Sequence, residues 1–502
     1  MNKRFCHQLL MIIVIVGAPA AWAANLVDLG PAGPATWDSN VADDMAAYIV
    51  DVSKDGTLAG GTDSSGNPFI WTAANGKVFI GSSRWLVGVD WLITNGVSTN
   101  VLAVVNDNST TTPLYWQGAA NGTGGSWTSF PLEDDSSPWV ATALGVGSNL
   151  HNIPPDPVGD WWAAGYRNLS ADPYEYQLRY QNSTASATSI DTPSEGPGHA
   201  RCFFFAASNE GTFAGRAMYG KTAPNGQRNG EKWYYGIRTG SPGDKAYWCG
   251  PPDAGDGTQP SSGAAASIAQ AISGDGRILG GLEKGSIAIY HALFWAKHLY
   301  VYKLPRILIG GSTYADWMGV RALNRNGTVM GGYYYTDPPT DAGPVEAFIF
   351  YLSGYNESPP PDPDSVTGTL LKVGDLLGTY GMDTNGWAFR EVTGLSDDGN
   401  TLVGYGVTNG VTHAWLAQLP PPILTITNIG LDGSGNVLID FTSSRIGDHT
   451  GSFAAQQSAT LVNGSTPFVD FIPGATITGS ASSFRATVPQ TGDAQFYRIR
   501  HL

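Results

Sequence analysis

Ser53-Lys54-Asp55-Gly56-Thr57-Leu58-Ala59-Gly60-Gly61, followed after a short loop by Phe69-Ile70-Trp71, is the stretch on which the fold turns. Asp-Gly between apolar runs is a strong hairpin signal, because Gly accepts the positive φ that such turns need. The glycines that end the second run let backbones approach closely or bend away from a sheet. The aromatic run that follows gives a small sheet the bulk to pack on a neighbour.

The unit recurs, and recurrence at this length means stacked repeats. Ser273-Gly274-Asp275-Gly276-Arg277-Ile278-Leu279-Gly280-Gly281 precedes His291-Ala292-Leu293-Phe294-Trp295. Asn324-Arg325-Asn326-Gly327-Thr328-Val329-Met330-Gly331-Gly332 precedes Glu346-Ala347-Phe348-Ile349-Phe350, and Ser396-Asp397-Asp398-Gly399-Asn400-Thr401-Leu402-Val403-Gly404 precedes His413-Ala414-Trp415. Weaker copies end in Trp116, Tyr180 and Tyr235, so the aromatic landmarks Trp71, Trp116, Tyr180, Tyr235, Trp295, Phe350 and Trp415 fall 45 to 65 residues apart. Sheets this small cannot bury their own faces, and seven copies suit the blades of a β-propeller. The expected fold is all-β, a seven-bladed propeller over residues 24–420. Six or eight blades stay open because copies two to four are degraded, and a linear β-solenoid is the other arrangement of such units. Asn25-Leu26-Val27-Asp28-Leu29-Gly30 reads as an orphan strand that completes the last blade and hides its edge. Past Leu419-Pro420-Pro421-Pro422 the pattern becomes alternating strands, so residues 421–502 read as a small C-terminal β-sandwich.

The chain opens with Lys3 and Arg4, a short apolar run at 9–16, and Ala21-Trp22-Ala23, the order of a secretory signal peptide over residues 1–23. The reading is therefore an exported protein, extracellular, cell-surface or periplasmic, with no membrane span in the mature chain. In that compartment Cys202 and Cys249 are expected to form a disulfide; two buried thiols are the alternative. The 502 residues hold 65 glycines, carry 14% charged residues and have a net charge of −15, which leaves no cationic surface for nucleic acid.

The Ser-x-Asp-Gly turn followed by His291-Ala292-Leu293-Phe294-Trp295 and His413-Ala414-Trp415, with Glu346-Ala347-Phe348 in place of the His triplet, resembles the bacterial extracellular HAF repeat over roughly residues 45–418. The resemblance implies propeller-like repeats and a secreted or surface location, and no chemistry. The ending Gln495-Phe496-Tyr497-Arg498-Ile499-Arg500 is similar to C-terminal modules of secreted planctomycete and verrucomicrobial proteins.

Candidate sites are few. Histidines 151, 199, 291, 298, 413, 449 and 501 show no metal-ligand spacing, and His291 and His413 hold equivalent repeat positions, which reads as structural. There is no His-Glu-x-x-His, no Gly-x-Ser-x-Gly and no phosphate-cradling loop. Glu133-Asp134-Asp135, Asp362-Pro363-Asp364 and Asp397-Asp398 lack EF-hand spacing and read as solvated surface loops, with weak structural calcium as the alternative. No catalytic, cofactor-binding or metal residue is nominated. Trp139, Trp161-Trp162, Tyr174, Tyr176, Tyr234, Tyr333-Tyr334-Tyr335 and Trp387 lie near polar loops, where rings hold sugars or peptides; blade packing is the plainer reading for any one of them. The long loops after the third, fourth and sixth turn motifs are the stronger collective surface. Two functions follow: a non-catalytic propeller that binds extracellular polysaccharide, envelope or surface protein, or serves a structural role there, and a polysaccharide hydrolase or lyase with its site at the channel mouth.

Overall fold

The structure is a computed structural model describing residues 24–36, 45–94, 97–107, 113–130, 139–146, 161–167, 176–181, 186–189, 201–209, 211–222, 228–239, 246–249, 266–284, 290–296, 300–309, 313–315, 317–336, 345–356, 364–458, 474–480, 482–489 and 496–501. The chain divides into two compact units, one spanning Ala24–Leu419 and the other containing Pro420–Leu502.

The turn motif explains itself at atomic scale. Ser53 Oγ donates to Asp55 Oδ1 at 2.7 Å and accepts the Leu58 N–H at 3.0 Å, while Asp55 Oδ1 also takes the Thr57 N–H at 3.0 Å. Gly56 closes the turn at φ +71, a backbone region open to glycine without a Cβ penalty. Ser273 and Ser396 make the same pair of bonds, and Asn324 replaces the serine by accepting the Val329 N–H at 2.9 Å. Each motif therefore joins the first and second strands of a blade.

Seven four-stranded antiparallel sheets follow in chain order among the described residues of this unit, and the seven aromatic landmarks each lie on the third strand of one blade. The fold is a seven-bladed β-propeller. The last blade takes its fourth strand, Asn25–Pro31, from the start of the chain, with Leu26 opposite Ala417 and Asp28 opposite Trp415. The hydrophobic clusters show why the sheets stack: Val50, Ala59, Phe69 and Trp71 of the first blade pack with Val403, Ala414 and Leu416 of the seventh. Phe294 and Tyr302 of the fifth likewise pack with Val320, Met330 and Phe348 of the sixth.

The second unit is a sandwich of a four-stranded and a two-stranded sheet, with Phe441 and Phe484 of one meeting Phe453 of the other at ring separations of 5.0 and 4.6 Å. Among the described residues no helix is long and apolar enough to cross a membrane.

Sheet order corrects the expected disulfide. Cys202 lies on the innermost strand of the fourth blade, Arg201–Ala207, and Cys249 on the outermost, Ala246–Cys249, with two strands between them. Three strand spacings separate them by roughly 14 Å, whereas a disulfide needs Cα atoms within about 7 Å. The sheet holds the two cysteines apart.

Candidate functional site at the channel mouth

The innermost strands carry a shared irregularity. In six of the seven, pairing with the second strand slips by one residue, leaving Val87, Thr142, Phe205, Gln270, Arg321 and Thr393 as bulges. A bulge re-aims a side chain, and all six residues line one cavity of about 170 Å³, together with Val50 of the first blade. The motif's closing glycine makes the bulge affordable in four blades. A Cβ on Gly165, Gly281, Gly332 or Gly404 would sit 2.2, 1.9, 1.9 or 1.9 Å from the carbonyl oxygen two residues before the bulge.

Much of this ring's polar chemistry binds blade to blade. Thr393 Oγ1 donates to the Val50 carbonyl at 2.5 Å, Thr142 Oγ1 donates to the Phe204 carbonyl, and Asp51 Oδ2 accepts the Val89 N–H at 2.8 Å. Burial pushes the Asp51 carboxyl up to about 7 against the lowering pull of the Val89 and Val52 N–H groups. Arg321 Nε donates to Glu391 Oε1 at 2.6 Å across the sixth and seventh blades. Burial works against the guanidinium charge there, and the Glu391 carboxylate more than offsets it.

At the end where the innermost strands finish, the turns close the channel. Backbone bonds run from Asn209 to Gly274, Asp275 to Arg325, Arg325 to Asp397 and Asp397 to Lys54, and the Lys54 N–H reaches Asp90 Oδ1 at 3.4 Å. Lys54 lies 3.6 Å from Asp90 and Arg325 lies 3.4 Å from Asp397. Burial pushes Asp90 up to about 6 despite Lys54, and raises Asp397 against the pull of Lys54 and Arg325. Asp397 is thus part of this axial closure and not of a solvated acidic loop. Asp398 caps its own turn by accepting from Ser396 Oγ at 2.6 Å and the Asn400 N–H at 2.9 Å.

The other end, where innermost strands begin, carries aromatic rings. Trp317 meets Tyr335 at 5.5 Å, Tyr335 meets Tyr333 at 6.0 Å, and the Arg321 guanidinium lies 5.0 Å from the Tyr333 ring centre. Across the Arg321–Glu391 pair, the Tyr405 hydroxyl bonds Glu391 and its ring meets Tyr48 at 4.9 Å. Burial and the Glu391 charge hold the Tyr405 hydroxyl well above its usual value. All five rings are half-buried. Gly319 makes this arc fit, since a Cβ there would strike the Tyr333 ring at 2.8 Å. The arc and the cavity share Arg321 and the chain segment at 45–50.

The aromatics singled out in the sequence separate by burial. Trp139, Trp161, Trp162 and Tyr334 are core residues. Tyr333 and Tyr335 sit in the arc, and Trp387 is half-buried, stacked on Phe389 at 5.5 Å. Tyr176 and Tyr234 lie on strands whose side chains are outside the described residues, as are Tyr174, residues 133–135, 362 and 363, and the loops 168–175, 223–227 and 337–344. Histidines 151, 199 and 298 are outside them too. His413 Nδ1 pairs with Asp28 of the closing strand at 2.8 Å, a carboxylate and not a backbone group. His501 Nε2 lies 2.8 Å from Asp448 Oδ1, and Ser443 Oγ donates to the other oxygen of that carboxylate. The hydroxyl meets the carboxylate and not the imidazole, so this trio clasps the last strand and lacks a nucleophile–base bond. Among the described residues no group of three His, Cys, Asp or Glu could hold a metal ion.

Sequence reading missed Asp51, Arg321, Glu391, Tyr48 and Tyr405. For Arg321 the signal was present: the channel residue stands three positions before the Ser or Asn of the turn in every well-formed copy.

Comparison with known proteins adds no chemistry. No family model and no curated relative matches the chain. Among solved structures, the Dos1 propeller is 7% identical with a TM-score of 0.36, covering 79% of this chain and 95% of that one. The RRP9 WD40 repeats are 8% identical at 0.39, covering 80% and 99%. An oligogalacturonate lyase from Vibrio parahaemolyticus is 10% identical at 0.41, covering 80% and 98%. These likenesses concern the propeller fold alone.

Proposed function

We propose that this chain is an exported, non-catalytic propeller of the cell surface or extracellular space that binds polysaccharide at the channel mouth over the sixth, seventh and first blades. The observation that carries it is the arc of half-buried rings, Trp317, Tyr335, Tyr333, Tyr405 and Tyr48, interrupted by the Arg321–Glu391 pair. Sugars present an apolar face and a polar rim, and rings alternating with charged hydrogen-bonding groups match both. The channel below supports binding over turnover, because its threonines and Arg321 are engaged in joining blades. A polysaccharide array read for both retention and released product tests this. Retention without product is expected, and Tyr333→Ala should weaken it about tenfold, the loss of one stacking contact. Absence of retention overturns the reading.

The hydrolase or lyase reading has one observation in its favour: Asp51 lines the cavity with its carboxyl pushed up to about 7, a range suited to proton transfer. Released product in the same assay would carry that reading instead.

A further inference from the structure

One residue past the channel ring, the innermost strands carry Gly88, Ala143, Ala206, Ala271, Ala322 and Gly394 in six blades and Asp51 in the first. A lone carboxyl replaces a small residue at a position where the repeat otherwise keeps side chains out. The neighbours make room for it. A Cβ on Gly88 would lie 3.2 Å from Asp51 Oδ2, and one on Gly394 would lie 3.4 Å from Oδ1. Asp51 therefore lines the cavity between two glycines, and this wall is shared with apolar Met45, Ile49, Val87 and Leu144. Gln270 and Arg321, both N–H donors, complete it.

Size and chemistry narrow the occupant. A cavity of roughly 150 Å³ accepts benzene, so 170 Å³ admits a substituent of similar bulk and not a whole pyranose ring. The wall offers an acceptor, donors and an apolar surface together. An acetamido group has the matching set: an N–H, a carbonyl and a methyl. A free ammonium matches less well, since it would share this small space with the Arg321 guanidinium.

We propose that the cavity receives the acetamido substituent of an N-acetylated amino sugar whose ring stacks on the mouth aromatics, with Asp51 accepting the amide N–H. This rests on the polysaccharide-binding reading above and assigns its ligand class. The ring supplies contact area at Tyr333 and Tyr405, and the substituent supplies selection below it.

Calorimetric titration of the purified chain with chito-oligosaccharide, cello-oligosaccharide of equal length, de-N-acetylated chito-oligosaccharide and muropeptide fragments tests it. The expected result is at least tenfold tighter binding of the acetylated chains than of the other two. Chito-oligosaccharide and muropeptide share the chemistry, so the tighter of these arms names the polymer source. Ala206→Leu, which fills the cavity, should remove the preference while leaving binding of cello-oligosaccharide unchanged. Equal affinity for glucose and N-acetylglucosamine chains overturns the proposal and leaves the mouth reading standing. Tighter binding of the de-N-acetylated chain overturns it in favour of an amine ligand. No binding in any arm overturns both.

Discussion

Arg321 is paired with Glu391, with side-chain exposures of 9% and 4%. Removing one partner of such a pair leaves a buried charge without compensation, which costs about 3–5 kcal/mol. Arg321→Ala should therefore lower the propeller's melting temperature well beyond the effect of His413→Ala, whose partner Asp28 is 47% exposed and whose pairing is worth about 0–1 kcal/mol. Thermal denaturation followed by circular dichroism compares the two. Asp51 and Asp90 make a separate statement about pH. Burial raises both, to about 7 and about 6, so the folded chain holds protons that the unfolded chain releases near pH 4. Stability from these groups is complete below that value and declines as pH rises towards 7. Asp51→Asn should flatten that slope in a series of melts from pH 4 to 7; an unchanged slope would contradict the burial argument. Cys202 and Cys249, with two strands between them, should both alkylate in denaturant without reductant, which peptide mass mapping measures as an adduct on each.

At the level of strands and turns, the Gly that closes the motif is coupled in four blades to the bulge opposite. Gly332 lies against the Gly319 carbonyl, and the bulge beside it turns Arg321 into the channel. Gly332→Ala should cost roughly 1–3 kcal/mol through overpacking and weaken glycan retention, because it displaces the strand that carries Tyr333. The turns themselves were legible in sequence, since Ser53, Asp55 and Gly56 bond within a few residues of one another. The channel ring was not, because a bulge is a mismatch between two strands. Tyr333, Tyr334 and Tyr335 show the same boundary: alternation puts the middle ring on the opposite face from its neighbours, yet only pairing with Gly319, at the start of the innermost strand, puts Tyr333 at the mouth. The cysteines could have been read correctly. Cys202 stands before a turn motif, on a first strand, and Cys249 follows the aromatic third strand.

For the whole molecule, the closing strand has a consequence in time. Asp28 pairs with a residue 385 positions later, so the first strand to emerge from synthesis waits for almost the last of the propeller. Until then the seventh blade has an open edge, and loops of that length close slowly. During synthesis this chain must remain unjoined at its seam while the other blades can already assemble, a window in which the bare edge of Val411–Gln418 can recruit a strand from another chain. Moving residues 24–31 to follow residue 418 would turn a long-range closure into a local hairpin. Such a permuted chain should refold faster and aggregate less at the same final stability, and the delay it removes is the one the natural order builds in.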